Sequence, residues 1–392
     1  MQINIGLARM HMEPGERRDF LPGFVARLEH YGARVVLEYG YGSGMTLVEE
    51  DYLQVAPSVT FATRQEVYQQ DIVLVLRCPD TNDISMLRPG ACFISMLHYP
   101  TRPQRVEFLR SLGIEAVSLD SIKDDSGRRV VENLRSVAWN GIEAAFKVLR
   151  NTYPDPGFGS KQRSPIQVTL MGTGAVGSHV VSAASRYGNE NLRAKMVAAG
   201  IPGVKVVAID YDVTPHEEIM REILMNTDIL VDATQRPDPS KPVIPNQWVG
   251  YLPQHAVILD LSVDPYNCDT QLLSIKGIEG IPQGNLDRYI FSPDDPEFDI
   301  LPACISTIHR RHTVSCYSWP GIYPKKCMEL YGRQIRPILH VLIDKGGPQN
   351  IDPEGSFFER AIARALLSRL PIDNNAVQST QYSQQRNNKD GS

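Results

Sequence analysis

The sequence predicts an α/β fold built from two doubly wound parallel-sheet domains, joined by long helices and with a cleft between them. Two observations predict this class. Short apolar runs alternate with amphipathic helical stretches, as in parallel strands covered by crossover helices, and this alternation occurs once before and once after a long helical stretch at 128–152. The length agrees, because 392 residues at about 100–200 residues per domain correspond to two or three domains.

The first third of the chain has the pattern of a complete α/β domain. Helical stretches are predicted at 21–31, where Phe24, Val25, Leu28 and Tyr31 share one face, and at 102–112. Strands are predicted at about 2–7, 34–38, 72–76, 92–97 and 114–118.

A second set of elements follows the helical stripe at 128–152 and a Pro/Gly-rich linker. A further long helix is predicted at 323–345, interrupted or kinked at Pro337. Strands are predicted at about 166–171, 204–209, 228–232 and 256–261.

These elements predict a discontinuous domain organisation. Residues 1–135 and 320–371 form a substrate domain, 136–319 form a cofactor domain inserted between them, and the polar residues 372–392 form a disordered tail.

Composition and charge exclude several classes of protein. The 40 Lys and Arg residues against 45 Asp and Glu give a formal charge of -5, so no basic excess is available to bind a nucleic-acid backbone. No apolar run approaches the about 20 residues that cross a bilayer, and the N-terminal apolar stretch is too short for a signal peptide.

The six cysteines are dispersed without a CxxC pair, which favours reduced thiols over a disulfide framework. We therefore expect a soluble, cytoplasmic protein.

The strongest local motif is a glycine loop that follows a predicted strand and opens a helix, the setting of a Rossmann-like dinucleotide site. Gly172 permits the tight turn, Gly174 lets the backbone approach a pyrophosphate, and Gly177 allows close packing of helix on strand. The backbone of Ala175 and Val176 lies at the helix N-terminus, which favours a phosphate. The alternative is a glycine-rich turn that binds no ligand.

An acidic residue at the end of the second strand of the cofactor domain is expected to bind the adenosine ribose. Asp210 occupies that place, and its long distance from the loop fits an inserted helical excursion at 189–203. A carboxylate here repels a 2′-phosphate, so NAD is favoured over NADP. The alternative is a solvated carboxylate at a strand end.

Polar residues after other strands select a candidate substrate site, because ligands bind outside the carboxyl ends of parallel strands. Arg18 follows the first strand and Arg77 the strand at 72–76; either guanidinium could bind a substrate carboxylate, although Arg77 could instead reach water or pair with Asp80. His98 could move protons at neutral pH or be a structural histidine. Asp264 could orient an ammonium group, activate water, or only begin an Asp-Pro turn.

No metal site is expected. His309 and His312 could be drawn together with Cys316 as ligands, but these residues leave a loop and enter a strand, which is a poor cage for an ion.

At these residues the sequence resembles the alanine dehydrogenase and proton-translocating transhydrogenase alpha-subunit superfamily, which includes the lysine-forming saccharopine dehydrogenases. The resemblance covers roughly residues 1–345. It rests on the opening segment IGLARMHMEPGERRDFLPGFVARLEHYGARVVLEYGYGSG, on DIVLVLRCP, FISMLHYP, VTLMGTGAVG and LDLSVD, and on DDSGRRVV, which is similar to the saccharopine branch.

The resemblance implies an NAD-dependent dehydrogenase that reversibly deaminates a small amino acid of the alanine type to a 2-oxo acid, in a homo-oligomer. Arg18 and Arg77 would hold the carboxylate, His98 would exchange protons with water and amine, and Asp264 would stabilise the cationic iminium or place the water.

Two departures from the family pattern keep other functions open. Arg77 stands where the family's dehydrogenases have a lysine, and Tyr317-Ser-Trp319-Pro-Gly replaces an Asn-Met segment near the nicotinamide. One alternative is an opine or saccharopine-type enzyme that joins a 2-oxo acid to an amino acid. The other is a transhydrogenase-like or non-catalytic nucleotide-binding module.

Overall fold

The computed structural model describes residues 2–10, 13–236, 238–269 and 273–371. These residues form two compact units. The first unit consists of residues 2–10, 19–132 and 331–371. The second consists of the described residues of 13–18 and 133–330. The tail predicted at 372–392 lies outside the described residues.

The first unit is a six-stranded parallel sheet in the order β3-β2-β1-β4-β5-β6, with helices between its strands. Its elements are β1 (Asn4–Leu7), α1 (Pro22–His30), β2 (Arg34–Glu38), α2 (Glu49–Leu53), β3 (Thr60–Ala62), α3 (Arg64–Tyr68), β4 (Ile72–Arg77), α4 (Thr81–Ile84), β5 (Cys92–Met96), α5 (Pro103–Ser111) and β6 (Glu115–Ser118).

The central strands of this sheet are apolar because both faces are covered. In β4 the five residues Ile72 to Leu76 are all buried, and the strand ends on the half-buried Arg77. The strand order reverses between β1 and β4, so the carboxyl ends of these strands and of β5 and β6 form the edge where ligands bind in such sheets.

The second unit contains another six-stranded sheet, in the order β11-β12-β10-β9-β7-β8. All neighbours pair in parallel except β11 and β12. The remaining elements of the chain are α6 (Leu134–Thr152), β7 (Ile166–Met171), α7 (Ala175–Ala184), α8 (Glu190–Ala198), β8 (Val204–Ile209), α9 (Glu217–Met225), β9 (Ile229–Asp232), α10 (Asn246–Val249), β10 (Val257–Asp260), β11 (Ile290–Phe291), β12 (His312–Ser315), α11 (Pro324–Asp344) and α12 (Phe357–Ala363). Helix α11 contributes to both units, and α12 belongs to the first.

The predicted α/β class is confirmed: both sheets are predominantly parallel and carry Rossmann-like strand orders. The inserted excursion predicted before the second strand of the cofactor domain is also present, as helix α8. Strand β7 is buried along its whole length and ends where the glycine loop begins.

The long helix predicted at 128–152 starts later than the apolar stripe suggested. Residues before Leu134 form a turn in which the Asp124 carboxylate accepts hydrogen bonds from the backbone N–H groups of Ser126 and Arg128. An antiparallel bridge between Lys123 and Arg129 closes the turn. An aspartate that binds nearby backbone groups competes with a helix, which explains the later start.

The long helix predicted at 323–345 is not interrupted at Pro337. Helix α11 continues from Pro324 to Asp344 through that proline. The missing proline N–H removes one helical hydrogen bond, but Ile335, Ile338, Leu339 and Leu342 on the same helix are fully buried. Burial of this apolar face favours continuation of the helix.

The expectation that all six cysteines are reduced is wrong. Cys268 and Cys304 form a disulfide across a sequence separation of 36 residues. The spacing gave no sign of the pair because the two residues lie in separate loops that meet only in the folded unit. Cys78, Cys92, Cys316 and Cys327, all among the described residues, take no part in a disulfide.

Among the described residues, no helix combines the length and the apolar character that a membrane span requires.

Candidate functional site

The glycine loop adopts a backbone that a larger residue would prevent. Gly172 follows β7 with φ at 89°, and a Cβ atom there would lie 2.6 Å from the carbonyl oxygen of Ala233. Gly177 lies in the first turn of α7, where a Cβ atom would lie 2.2 Å from the carbonyl oxygen of Gly172. Both glycines are therefore needed for the turn and for close helix–strand packing.

The remaining residues of the motif leave room for a phosphate. Gly174 is the N-cap of α7, and a Cβ atom built on it would have no heavy atom within 4 Å. No side chain caps this helix end, so the first N–H groups, including those of Ala175 and Val176, are available to an acceptor from outside the helix. A pyrophosphate fits this loop in charge and in space.

Asp210 lies beside the loop, directly after β8. Its carboxylate accepts hydrogen bonds from the hydroxyl and the backbone N–H of Thr173, within the glycine motif, and from the N–H of Tyr211 at 2.9 Å. Chiefly through the Thr173 hydroxyl, these bonds hold the pKa of the Asp210 carboxyl below its ordinary range. The group is thus an ionised hydrogen-bond acceptor next to the glycine loop at neutral pH.

His98 and Asp120 form a hydrogen-bonded pair at the carboxyl edge of the first sheet. His98 Nδ1 lies 3.2 Å from Asp120 Oδ2, and the His98 backbone N–H donates to Asp120 Oδ1 at 3.1 Å. The Ser118 hydroxyl donates to the same oxygen at 2.8 Å. The His98 side chain is 51% exposed and the Asp120 side chain 7%, so a buried carboxylate orients an accessible imidazole.

The protonation state of Asp120 follows from these contacts. Burial by itself would raise the pKa of the carboxyl, but the hydrogen bonds from His98 and Ser118 and the attraction of the imidazole outweigh it and hold that pKa well below its usual range. An ionised Asp120 accepts a hydrogen bond from Nδ1–H, which leaves His98 Nε2 as the ring nitrogen available for proton exchange.

Arg77 ends the strand next to the one that leads to His98. In the register of β4 and β5, Arg77 pairs with Met96, two residues before His98. The half-buried Arg77 and the exposed imidazole thus leave neighbouring strands at the same edge of the first sheet. His98 has φ at 52°, a left-handed conformation that is uncommon outside glycine and concentrates at functional sites.

Asp264 lies in the second unit and is paired with Arg236, a cation that was not predicted from the sequence. Arg236 Nη2 lies 2.8 Å from Asp264 Oδ2. The Arg236 side chain is 7% exposed and also donates to the carbonyl oxygens of Lys241 and Ile275. The ion pair fixes the direction of the Asp264 carboxylate, which is 36% exposed.

Two further carboxylates are buried at the carboxyl ends of β9 and β10. Asp232 and Asp260 are opposite each other in the strand register, and both are fully buried. Lys276 Nζ lies 2.7 Å from Asp260 Oδ2. Burial, reinforced by the nearby Asp260 carboxylate, raises the pKa of Asp232 to about 6.

Arg18 is fully engaged within the second unit. Its side chain is 2% exposed and bound by both carboxylate oxygens of Glu16, with Nε to Oε1 at 2.8 Å. Nη1 lies 3.9 Å from the Cys327 sulfur. A substrate carboxylate could bind Arg18 only by displacing Glu16.

Asp120, Arg236 and the Asp260–Lys276 pair were not predicted from the sequence. Asp120 was within reach of the strand-end rule, because it follows Ser118 at the end of β6. Arg236 and Lys276 lie in loops, and no spacing in the sequence connects them to Asp264 or Asp260.

Part of the chain matches a known protein-family model. Residues 11–139 match the family "Alanine dehydrogenase/PNT, N-terminal domain". Alanine dehydrogenase of Bacillus subtilis is 21% identical over 275 residues, which cover 66% of this chain and 70% of the relative. Alanine dehydrogenase of Mycolicibacterium smegmatis is 20% identical over 271 residues, which cover 63% and 69%.

One transhydrogenase subunit matches over a smaller part of its length. The alpha subunit of the Haemophilus influenzae NAD(P) transhydrogenase is 22% identical over 190 residues, 47% of this chain and 36% of that subunit. The chain thus spans about a third of that relative.

Two solved structures share the fold. An L-alanine dehydrogenase superposes with a TM-score of 0.69 at 16% identity, covering 97% of this chain and 99% of the other. The transhydrogenase of Sinorhizobium meliloti gives 0.58 at 16% identity, covering 87% and 94%.

Proposed function

Because the chain is a relative of the alanine dehydrogenases and of the transhydrogenase alpha subunits, we propose that it is an NAD-dependent amino-acid dehydrogenase. It interconverts a small amino acid of the alanine type and the corresponding 2-oxo acid. The His98–Asp120 pair carries the proposal. Oxidation of an amine to a 2-oxo acid needs proton transfers to and from water, whereas exchange of hydride between two nicotinamides needs none.

The proposed reaction converts the amino acid, NAD⁺ and water into the 2-oxo acid, ammonium, NADH and a proton. Bound NAD would supply the hydride acceptor for the substrate Cα. His98 Nε2 takes the proton released as water adds to the iminium carbon, and returns it to the leaving amine. Asp120 keeps the imidazole in the required tautomer and orientation.

Three other side chains have proposed roles in holding the substrate. Arg77, at the same sheet edge as His98, binds the substrate carboxylate; as a guanidinium it remains protonated and cannot act as the base. Asp264, oriented by Arg236, stabilises the cationic iminium or places the attacking water. Arg18 remains a predicted carboxylate ligand, and this role requires exchange of Glu16 for the substrate.

The cofactor proposed is NAD, bound by the loop from Gly172 to Gly177 with its adenosine ribose on Asp210. An ionised carboxylate at this position accepts hydrogen bonds from ribose hydroxyls and repels the additional phosphate of NADP. The low pKa of Asp210 supports the choice.

Arg77 favours one second candidate, an opine or saccharopine-type dehydrogenase in which the amine is a second amino acid rather than ammonia. A fixed cation in place of the family's lysine suits a substrate that carries an additional carboxylate.

A substrate panel tests the proposal. Purified protein is incubated with NADH and a series of small 2-oxo acids, each with ammonia or with an amino acid as amine donor, and NADH loss is recorded. Turnover of pyruvate-sized oxo acids with ammonia is expected. Turnover only with a second amino acid would establish the opine-type reaction instead, and no turnover with any pair would contradict dehydrogenase function.

Two matched variants link the activity to the site. His98→Gln should lower kcat by about 100-fold or more, because a general acid–base contributes at least that much. The control is His255→Gln, which alters a second His–Asp pair, with Nε2 2.8 Å from Asp228 Oδ1. His255 precedes the amino end of β10, whereas ligands bind at the carboxyl ends of the strands. The kcat of this variant should therefore not change.

A further inference from the structure

Val263 has a backbone conformation that its side chain disfavours. Its φ is 59°, in the left-handed region, and for a β-branched residue this is a genuine outlier. Such strain persists only where surrounding contacts enforce it, and it concentrates at functional sites. Val263 immediately precedes Asp264, the residue proposed to stabilise the iminium.

Asp260 supplies the contacts that enforce this turn. Its Oδ1 accepts the Val263 backbone N–H at 2.9 Å and the Ser262 hydroxyl at 3.2 Å. Its Oδ2 accepts the Ser315 hydroxyl at 2.9 Å. The carboxylate is fully buried at the end of β10, so the turn is tied to the rigid end of a strand.

Lys276 holds Asp260 from the other side. Its ammonium group lies 2.7 Å from Asp260 Oδ2, donates to Gln283 Oε1, and lies 5.8 Å from the centre of the Tyr266 ring. The Lys276 side chain is fully buried. A buried ion pair is weak support for stability, since desolvation offsets the attraction; its effect on geometry is the better explanation for this pair.

We propose that Lys276 and Asp260 are positioning residues for Asp264: the ion pair keeps the Asp260 carboxylate aligned to close the turn at Val263, and the turn aims the Asp264 side chain. The inference rests on the proposed function for the role of Asp264.

Asp264 is then fixed at two points. The turn held by Asp260 sets its backbone, and the 2.8 Å contact with Arg236 sets its carboxylate. Loss of Lys276 leaves Asp260 as an uncompensated buried charge, which is relieved by protonation. A protonated carboxyl is a weaker hydrogen-bond acceptor than a carboxylate, so the bonds that the Val263 N–H and the Ser262 hydroxyl donate to Asp260 Oδ1 are weakened.

Two substitutions test the proposal: Lys276→Met alters the ion pair, and Val263→Gly alters the turn itself. Lys276→Met removes the cation and retains the stem. Val263→Gly removes the strain, so the chain stays folded while the turn gains other conformations. In both, amide hydrogen exchange at residue 263 should rise about tenfold and kcat should fall by up to about 100-fold. The dissociation constant for NADH, measured by fluorescence, should stay within about twofold.

Rescue by a second substitution separates positioning from simple loss of stability. In Asp260→Asn the Lys276 ammonium attracts the amide oxygen and turns the amide N–H₂ toward Val263, so kcat should fall. In Asp260→Asn/Lys276→Met the amide oxygen is free to accept from Val263, and kcat and exchange should recover toward the parent values. Lys345→Met, which breaks the Lys345–Glu359 pair of the first unit, is the control and should alter neither.

The outcomes are distinct. Unchanged exchange at residue 263 and unchanged kcat in folded Lys276→Met, or a double variant no better than Asp260→Asn, would overturn the proposal. If the parent turns over no substrate of the panel, the proposed function fails, and exchange at residue 263 alone still decides whether the pair holds the turn. Faster exchange with unaltered kcat would reject the positioning of Asp264.

Discussion

Asp120 Oδ2 lies 3.2 Å from Nδ1 of His98, and the other oxygen of the same carboxylate accepts the His98 backbone N–H at 3.1 Å. One buried carboxylate therefore fixes both the ring and the left-handed backbone of the histidine. Because β5 and β6 are adjacent and parallel, the pair needs no long loop to bring its members together.

Asp120→Asn should impair catalysis without unfolding the chain. The amide oxygen can still accept the His98 backbone N–H and the Ser118 hydroxyl, but the amide N–H₂ then faces Nδ1 and favours the tautomer with the proton on Nε2. That tautomer cannot take a proton at Nε2, so kcat should fall by about 100-fold, with KM little changed. Steady-state kinetics with the best substrate of the panel measure the effect.

The control for this prediction is Asp228→Asn, which alters the partner of His255 in the second unit. Its kcat should equal that of the parent. An Asp120→Asn variant with parental kcat would show that the carboxylate does not set the working tautomer of His98.

Gly174→Ala should weaken cofactor binding selectively. A Cβ at Gly174 meets no heavy atom within 4 Å, so the fold accommodates it, but the methyl group occupies the approach of a pyrophosphate to the helix end. The dissociation constant for NADH should rise by about tenfold, as titrated by fluorescence.

Gly203→Ala is a matched control for that variant. Gly203 also has open space around its Cβ position and no positive φ, and it lies before β8, at the opposite end of that strand from Asp210. Equal NADH affinities for the two alanine variants would exclude the glycine loop as the phosphate site.

Asp210→Ser should reduce the preference for NAD over NADP. The substitution removes a carboxylate held ionised by Thr173, and with it both a ribose ligand and the repulsion of a 2′-phosphate. We expect the ratio of kcat/KM for NADH to that for NADPH to fall by about tenfold or more. Asp212→Ser, two residues further along and exposed, should retain the parental ratio; a parental ratio in Asp210→Ser would contradict the ribose site.

The sequence predicted those parts of the fold and site that depend on local patterns. Strands β7 and β8 agree with the predicted bounds, because an apolar run between turn residues is typical of a strand in a parallel sheet. Of the two, β7 is buried along its whole length, whereas β8 lies at the sheet edge and is largely half-buried or exposed. The backbone of Gly172 and Gly177 was predictable for the same reason, since the turn and the helix packing are properties of neighbouring residues.

Contacts between distant segments could not be predicted from such local patterns. Arg236 and Asp264 are 28 residues apart and Lys276 and Asp260 are 16 apart, and each pair meets only because loops return to the ends of adjacent strands. Cys268 and Cys304 are joined in the same way. The left-handed turn at Val263 contradicts the preference of valine itself, so no propensity could reveal it.

Asp232→Asn should raise the stability of the protein at neutral pH and remove part of its pH dependence. Burial raises the pKa of this carboxyl to about 6, above the about 3.9 of an exposed aspartate. Between these values the folded chain binds more protons at Asp232 than the unfolded chain, so stability falls as the pH rises from about 4 to about 6 and stays lower above it. An amide carries no charge and can retain the contacts with Thr234 and Ser262.

The difference in free energy of unfolding between Asp232→Asn and the parent should grow over that interval to a value on the order of 3 kcal/mol. Urea unfolding at a series of pH values measures it. Asp238→Asn, an exposed carboxyl whose pKa is lowered by the Ser240 hydroxyl, is the control and should leave the slope between pH 4 and 6 unchanged. A parental slope in Asp232→Asn would mean that this carboxylate is already ionised in the folded protein between pH 4 and 6.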